Sequence, residues 1–172
     1  ERHMEKEWFP IGSTCSSQIG RWKEMKLGKL RTLRGQIEVT GGGVAKANLI
    51  VADGLVNYGL KILKFSIWED IAVAGAGRIW TGILSLDTIT AGDNMNAGDN
   101  RQFGWTFGST GAGGEYLSPR EILDPDHIVN RDLYLTMDGT TNGVYNYLIE
   151  CQVVELTDDE AIVTIIKENS QA

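Results

Sequence analysis

The 172-residue chain contains two histidines, His3 and His127. General acid–base work at neutral pH most often recruits His, and a Ser or Cys nucleophile needs a base beside it. His3 sits next to Met4, which reads as a native start, and carries no weight. His127 lies just ahead of a strand-like run, where a structural or solvent-facing role is expected. A metal site on a β-rich fold would need several His close together, and the count forbids it. Cys15 and Cys151 fit no Cys-x-x-Cys pattern. Cys151 shares strand parity with Tyr147, Ile149 and Val153, which makes it a buried thiol acting as a small hydrophobe; a disulfide between the two stays open. Two carboxylates suffice for glycoside hydrolysis, but the sequence singles out no pair. Neither a GxGxxG after a strand nor a GxxxxGK[ST] occurs. The expectation is a chain with no catalytic residue, no metal and no cofactor, and so not an enzyme.

Three stretches have residue types suited to binding. Gly92-Asp-Asn94 recurs as Gly98-Asp-Asn100 in the most polar loop, Thr90 to Asn100. Asp and Asn oxygens suit calcium, but the spacing departs from an EF-hand loop, and we read the loop as Asx turns. Gln102-Phe-Gly-Trp-Thr-Phe-Gly108 alternates, with Phe103, Trp105 and Phe107 on one face. That stripe could stack on a sugar; the expectation is a core face, because a strand with no other apolar side must bury this one. Between Arg21 and Arg34, the basic residues Arg21, Lys23, Lys26, Lys29, Arg31 and Arg34 interleave with Trp22, Leu27, Leu30 and Leu33. This pattern is compatible with nucleic-acid contact and with a half-exposed strand.

The charge is uneven. Formal net charge is −7, yet residues 1–34 carry eight Lys/Arg against four Asp/Glu, so that segment is +4 and the remainder −11. An acidic whole excludes a general nucleic-acid-coating protein, while the basic segment could touch phosphates or an acidic neighbouring subunit. No apolar run approaches the ~18 residues that span a bilayer, and residues 1–20 lack the apolar core of a signal peptide, so we expect no membrane partner and synthesis in a reducing compartment.

The elements that must position these residues are mostly strands. A hydrophobic fraction of 42% with 21 Gly and three Pro suggests one globular domain of short strands and tight turns. Residues 1–20 read as an extended arm anchored by Trp8 and Phe9, 21–156 as the sandwich and 157–172 as a helix. Leu33, Gly35, Ile37 and Val39 alternate with polar residues as in a half-buried strand. Val44 to Val56 could be strand or short helix. Leu60 to Trp68 is apolar on both faces, as in a central strand. Arg78 to Asp87 reads as another strand, and Ser118-Pro-Arg-Glu121 as the start of a single helical turn over Ile122 and Leu123. The closing unit pairs Asp132–Asp138 with Val144–Leu156, placing Leu133, Leu135 and Met137 against Tyr145, Tyr147, Ile149, Cys151 and Val153. Thr157 and Glu160 form a capping box for a helix whose Ile162, Ile165 and Ile166 make a stripe beside Ala161. That stripe must bury itself under its own sandwich or on a neighbouring subunit.

About eight strands, Gly-rich turns and a terminal helix indicate an all-β fold: an antiparallel β-sandwich of jelly-roll type, without the Cys-Trp-Cys spacing of immunoglobulin domains. Asp124-Pro-Asp-His-Ile-Val-Asn-Arg-Asp-Leu-Tyr-Leu135, Tyr147-Leu-Ile-Glu-Cys-Gln-Val-Val-Glu-Leu156 and the stretch from Thr157 to Gln171 resemble the carboxyl end of small jelly-roll coat proteins of environmental viruses. The resemblance covers about a quarter of the chain. It implies a virion structural protein made in the host cytoplasm, a homo-oligomer that can close into a shell, with no active site. Trp8, Phe9, Ile162, Ile165 and Ile166 would then serve the interface, and the basic 21–34 segment could reach viral nucleic acid. The chain lacks the long Arg-rich arm of many small capsid proteins. The alternative is a carbohydrate-binding sandwich, such as a fibre or spike head, with Trp80, Trp105 or Tyr116 stacking on the sugar.

Overall fold

The computed structural model describes residues 26–40, 42–51, 57–70, 77–90, 94–111 and 116–169. Within them lie nine strands and one helix: β1 (Lys26–Val39), β2 (Val44–Leu49), β3 (Tyr58–Glu69), β4 (Ile79–Ser85), β5 (Gln102–Thr110), β6 (Tyr116–Leu123), β7 (Ile128–Val129), β8 (Leu133–Gly139), β9 (Gly143–Glu155) and α1 (Asp158–Asn169). One sheet has the order β1-β9-β3-β7 and the other β2-β8-β4-β5-β6. Every pairing among these strands is antiparallel. The fold is an all-β sandwich with one short helix.

The pairings are nested. β1 pairs with β9, β2 with β8, β3 with β7 and β4 with β5, so the chain runs as one two-stranded ribbon doubled back on itself and folded into two sheets. β6 extends the second sheet at its edge. The core lies between the sheets: Phe65, Ile67, Tyr145 and Ile149 from the first meet Trp80, Leu84, Leu135 and Met137 from the second, all essentially without solvent contact. Burying each large side chain is worth about 1.5–3 kcal/mol, so this layer carries the fold.

The alternation read in β1, β8 and β9 holds: Ile37, Val39, Leu133, Leu135, Met137, Tyr145, Ile149 and Cys151 are all buried. The expected pairing of β8 with β9 is corrected: β8 lies between β2 and β4 in one sheet and β9 between β1 and β3 in the other, so their apolar faces meet across the core and not side by side. Val44 to Leu49 is a strand. β3 lies between β9 and β7 as expected, but its doubly apolar pattern has another cause. The register slips between Ile62 and Lys64, leaving Leu63 as an extra residue. A bulge reverses the parity of every residue beyond it in the strand. Leu60, Ile62, Phe65 and Ile67 therefore all face the core, and Leu63 and Trp68 are exposed.

Two other expectations are corrected. Ser118-Pro-Arg-Glu121 belongs to β6 and is not a helical turn. β6 is an edge strand, and Leu117 pairs with Ser109 while Arg120 pairs with Phe107, so Ser118 and Pro119 stand opposite Gly108 alone. A bulge at an edge needs no N–H from Pro, which makes this one of the few strand positions that accept it. The second correction concerns the aromatic stripe. Phe107 is exposed, and Trp105, though buried at 8% exposure, lies outside the core cluster between the sheets; Gly104, Thr106 and Gly108 take the face turned to that core. A methyl group at Gly108 would overlap the Trp80 indole, and one at Gly82 would overlap Ile67. The flat Gly/Thr side of β5 is thus where large rings and branched chains from other strands insert. Phe103 reaches the core because a register slip between Leu84 and Ser85 places it as the extra residue.

α1 sits against the opposite side of β9 from the main core. Val154 and Leu156 fall out of phase with Tyr145, Ile149 and Cys151, and pack with Ala161 and Ile128 as a small second core.

Candidate functional site: a cleft at one end of the sandwich

Where β5 begins, β6 hands over to β7 and α1 lies against the end of β9, the described residues enclose a cleft of about 800 Å³. Ala97 and Asn100 come from the β4–β5 loop, Gln102 and Trp105 from β5, Asp124, Asp126, His127 and Ile128 from the β6–β7 connection. Leu156 and the helical Asp159, Glu160, Val163 and Thr164 close the other side. Its lining mixes apolar side chains with carboxylates, amides and a hydroxyl.

Local chemistry fixes these walls. Gln102, only 4% exposed, accepts from Trp105 Nε1 at 2.8 Å and from the Asn96 backbone N–H at 3.0 Å through the same Oε1, and its Nε2 donates to the Asn94 carbonyl at 3.0 Å. One buried amide therefore orients the indole and pins the loop to the strand. Asn96 Oδ1 accepts from the Gly98 N–H at 3.0 Å and Asp99 Oδ1 from the Arg101 N–H at 3.1 Å, so 94–100 is built from Asx turns, as its composition suggested. The Arg101 guanidinium donates to Asp99 at 2.8 Å and holds its carboxyl below the usual Asp value. On the helical side, the Thr157 N–H donates to Glu160 Oε2 at 2.8 Å and the Glu160 N–H to Thr157 Oγ1 at 3.4 Å, which is the expected capping box. His127 stacks on Phe103 with ring centroids 4.5 Å apart and planes 7° from parallel. Among the described residues, no group of three His, Cys, Asp or Glu could hold a metal ion.

A second polar cluster lies inside the core at the far end. Glu69 pairs across the sheet with Tyr145 and is 6% exposed, and Tyr145 contacts the Trp80 ring with centroids 5.9 Å apart. Both Glu69 carboxylate oxygens, the Tyr145 hydroxyl, Trp80 Nε1 and Arg78 Nε are buried without a hydrogen-bond partner among the described residues. Burial raises the Glu69 carboxyl above its ordinary value, with the Arg78 charge opposing, and burial followed by the Glu69 charge raises the Tyr145 phenol.

The residues singled out from sequence are dispersed. Trp8, Phe9, Arg21, Lys23 and Cys15 lie outside the described residues, as do the side chains of Lys26, Tyr116 and Ile165. Lys29, Arg31 and Arg34 lie on β1, the edge of the first sheet, and are exposed. Arg34 alternates to the outer face, while Arg31 stands on the side of Leu33 and pairs with Cys151, so the two cations point to different faces. Ile162 and Ile166 are 54% and 57% exposed, and Ala161 is the α1 residue turned inward. Cys151 is free and buried; its thiol lies 3.4 Å from the Arg31 carbonyl and is raised in pKa by burial. Trp80 is 1% exposed and cannot stack on a ligand; Trp105 lines the cleft but is itself buried, at 8% exposure.

Gln102, Asp124, Asp126 and Asp159 carried no sequence signal of a site, and Asn100 only that of the Asx-rich repeat. They come from four segments that the fold alone brings together. A comparison with models of known families gives no match, and a comparison with curated proteins gives none either.

Proposed function

We propose that this chain is a non-enzymatic viral structural protein of jelly-roll type that self-assembles through its sandwich and its terminal helix. The observation that carries the reading is the outer side of α1, where Ile162, Val163 and Ile166 are each more than half exposed while, among the described side chains, Ala161 anchors the helix inward. A 12-residue helix that presents three branched apolar side chains to water is a natural surface for a second copy. The strand orders support the type of sandwich. A doubled ribbon that places β1-β9-β3-β7 in one layer and β2-β8-β4-β5 in the other is the arrangement expected of a jelly roll, an architecture used by viral coats and lectins alike.

The basic residues of β1 give a supporting role for nucleic acid. Lys29, Arg31 and Arg34 project from an exposed sheet edge, within reach of a phosphate backbone in an assembly. Mass measurement by light scattering, with negative-stain microscopy, tests the proposal: discrete high-mass particles are expected. A chain that stays monomeric across salt and pH overturns it.

A further inference from the structure

We infer that Glu69 gates the end of the sandwich opposite the cleft: with its carboxyl neutral the two sheets stay closed over it, and with its carboxyl ionised water enters between them. The assembly reading uses none of these residues, so the two stand or fall separately. The gate is built from both sheets. Glu69 and Tyr145 are cross-strand partners in the first, both buried. Trp80 faces them from the second, its indole 5.9 Å from the Tyr145 ring, with Arg78 just ahead of β4. The Tyr145 hydroxyl spans the gap to Gly139, where an added methyl carbon would stand 3.2 Å from it. Three donors, the Tyr145 hydroxyl, Trp80 Nε1 and Arg78 Nε, share this end with the carboxyl, yet none bonds to it or to any other described residue.

A carboxyl in this position tolerates being neutral and does not tolerate charge. Burying an unpaired carboxylate costs far more than burying its neutral acid, so ionisation must be met by a partner or by water. Among the described residues Arg78 is the cation at this end, and it forms no hydrogen bond to Glu69. Glu38 and Asp138 alternate to the outer faces of their strands, Asp70 is engaged outside by Gln36 and Asn146, and Gly108 and Thr110 of β5 bring no charge. Burial outweighs the Arg78 charge at Glu69, and the Glu69 charge in turn acts on the Tyr145 phenol. The same end is also lightly held. Gly77 leads into β4 at a φ of 54°, and a side chain built on it would meet nothing within 4 Å. The Arg78 and Ile79 N–H groups donate to side-chain oxygens, Thr110 Oγ1 and Thr140 Oγ1, each at 3.1 Å, bonds that a rotamer change releases while the sheet ladder stays whole.

The test is hydrogen exchange of the full chain by heteronuclear NMR, stepwise from acid to mildly alkaline pH, with each rate compared with that of an unstructured chain so that base catalysis cancels. Protection of the Trp80 indole N–H and of the Glu69 and Tyr145 amides should fall about tenfold or more as pH rises, along the same curve as the Glu69 carboxyl carbon shift. The Trp105 indole N–H, bonded to Gln102 at the other end, should keep its protection. In Glu69→Gln the Trp80 protection should not depend on pH. Arg78→Ala, which removes the opposing charge, should move the transition to higher pH, and this keeps the test decisive if Glu69→Gln fails to fold. Protection of Trp80 independent of pH in the unaltered chain overturns the inference. So does a Glu69 titration that leaves Trp80 protected, which would mean that Arg78 swings in to pair with the carboxylate. Equal loss at Trp105 overturns it as well, by marking unfolding of the whole sandwich.

Discussion

Glu69 is a buried carboxyl whose two oxygens find no hydrogen-bond partner among the described residues. Burial outweighs Arg78 in raising its pKa. A Glu whose folded pKa lies above its unfolded value, about 4.3, holds more protons folded than unfolded between the two values. Its contribution to stability is greatest below the unfolded pKa and declines as pH rises through the folded one. Glu69→Gln should therefore remove part of the decline in denaturation midpoint as pH rises above the unfolded Glu value of about 4.3. A variant with an unchanged slope would show that other groups set it. Gln102 is the converse case, a buried amide with its hydrogen bonds met. Gln102→Leu leaves the Trp105 and Asn96 N–H groups unpaired and should cost about 1–3 kcal/mol, read by chemical denaturation. Gly108→Ala would press a methyl into the Trp80 indole, and about 1–3 kcal/mol of destabilisation is expected from overpacking, although nothing in the local sequence sets this glycine apart from its neighbour at 104.

Among the elements, α1 is tied by its first turn and, among the described side chains, by one alanine. Thr157→Ala removes both the side-chain acceptor for the Glu160 N–H and the Thr157 hydroxyl bond to Glu160 Oε2, and should cost about 1 kcal/mol, measured by thermal unfolding. Ile162→Asp with Ile166→Asp acts on the outer side, where nothing described packs against it. Soluble folded monomer in place of particles is the expected outcome, with circular dichroism unchanged. Loss of the fold would show that these side chains stabilise the monomer instead. β6 illustrates how an element's position changes what its residues mean. Ser-Pro-Arg-Glu has the composition of a helix start, and an edge bulge accepts it equally well. The choice was made by the hydrogen bonds that β5 still had to offer along its free side.

For the whole molecule, the doubled ribbon accounts for both surfaces of interest. Because Lys26 pairs with Glu155, β1 begins at the end of the sandwich where α1 follows β9. The β4–β5 loop and the β6–β7 connection converge at the cleft beside α1. The outer side of α1 and the cleft are therefore neighbours on one end of the subunit, sharing Val163.

The strands of the closing unit, the capping box, the Asx loop and the buried thiol were all legible in the sequence, because each rests on local chemistry: a period of two, a Ser/Thr-x-x-Glu spacing, an Asx side chain bonding its own backbone, a small apolar residue in phase with its neighbours. The faces of β3 and β5 were not. A bulge at Leu63 exchanges inside and outside with no change in composition, and Trp105 and Phe107 of β5 lie off the main core, where Trp80 and Ile67, distant in sequence, fill the space over Gly108 and Gly82. The cleft was equally beyond reach, since its walls come from separate segments with unremarkable residues. Local pattern determined which residues form strands and the helix; only tertiary packing decided which side of each strand is the interior, because that depends on which other side chains arrive there first.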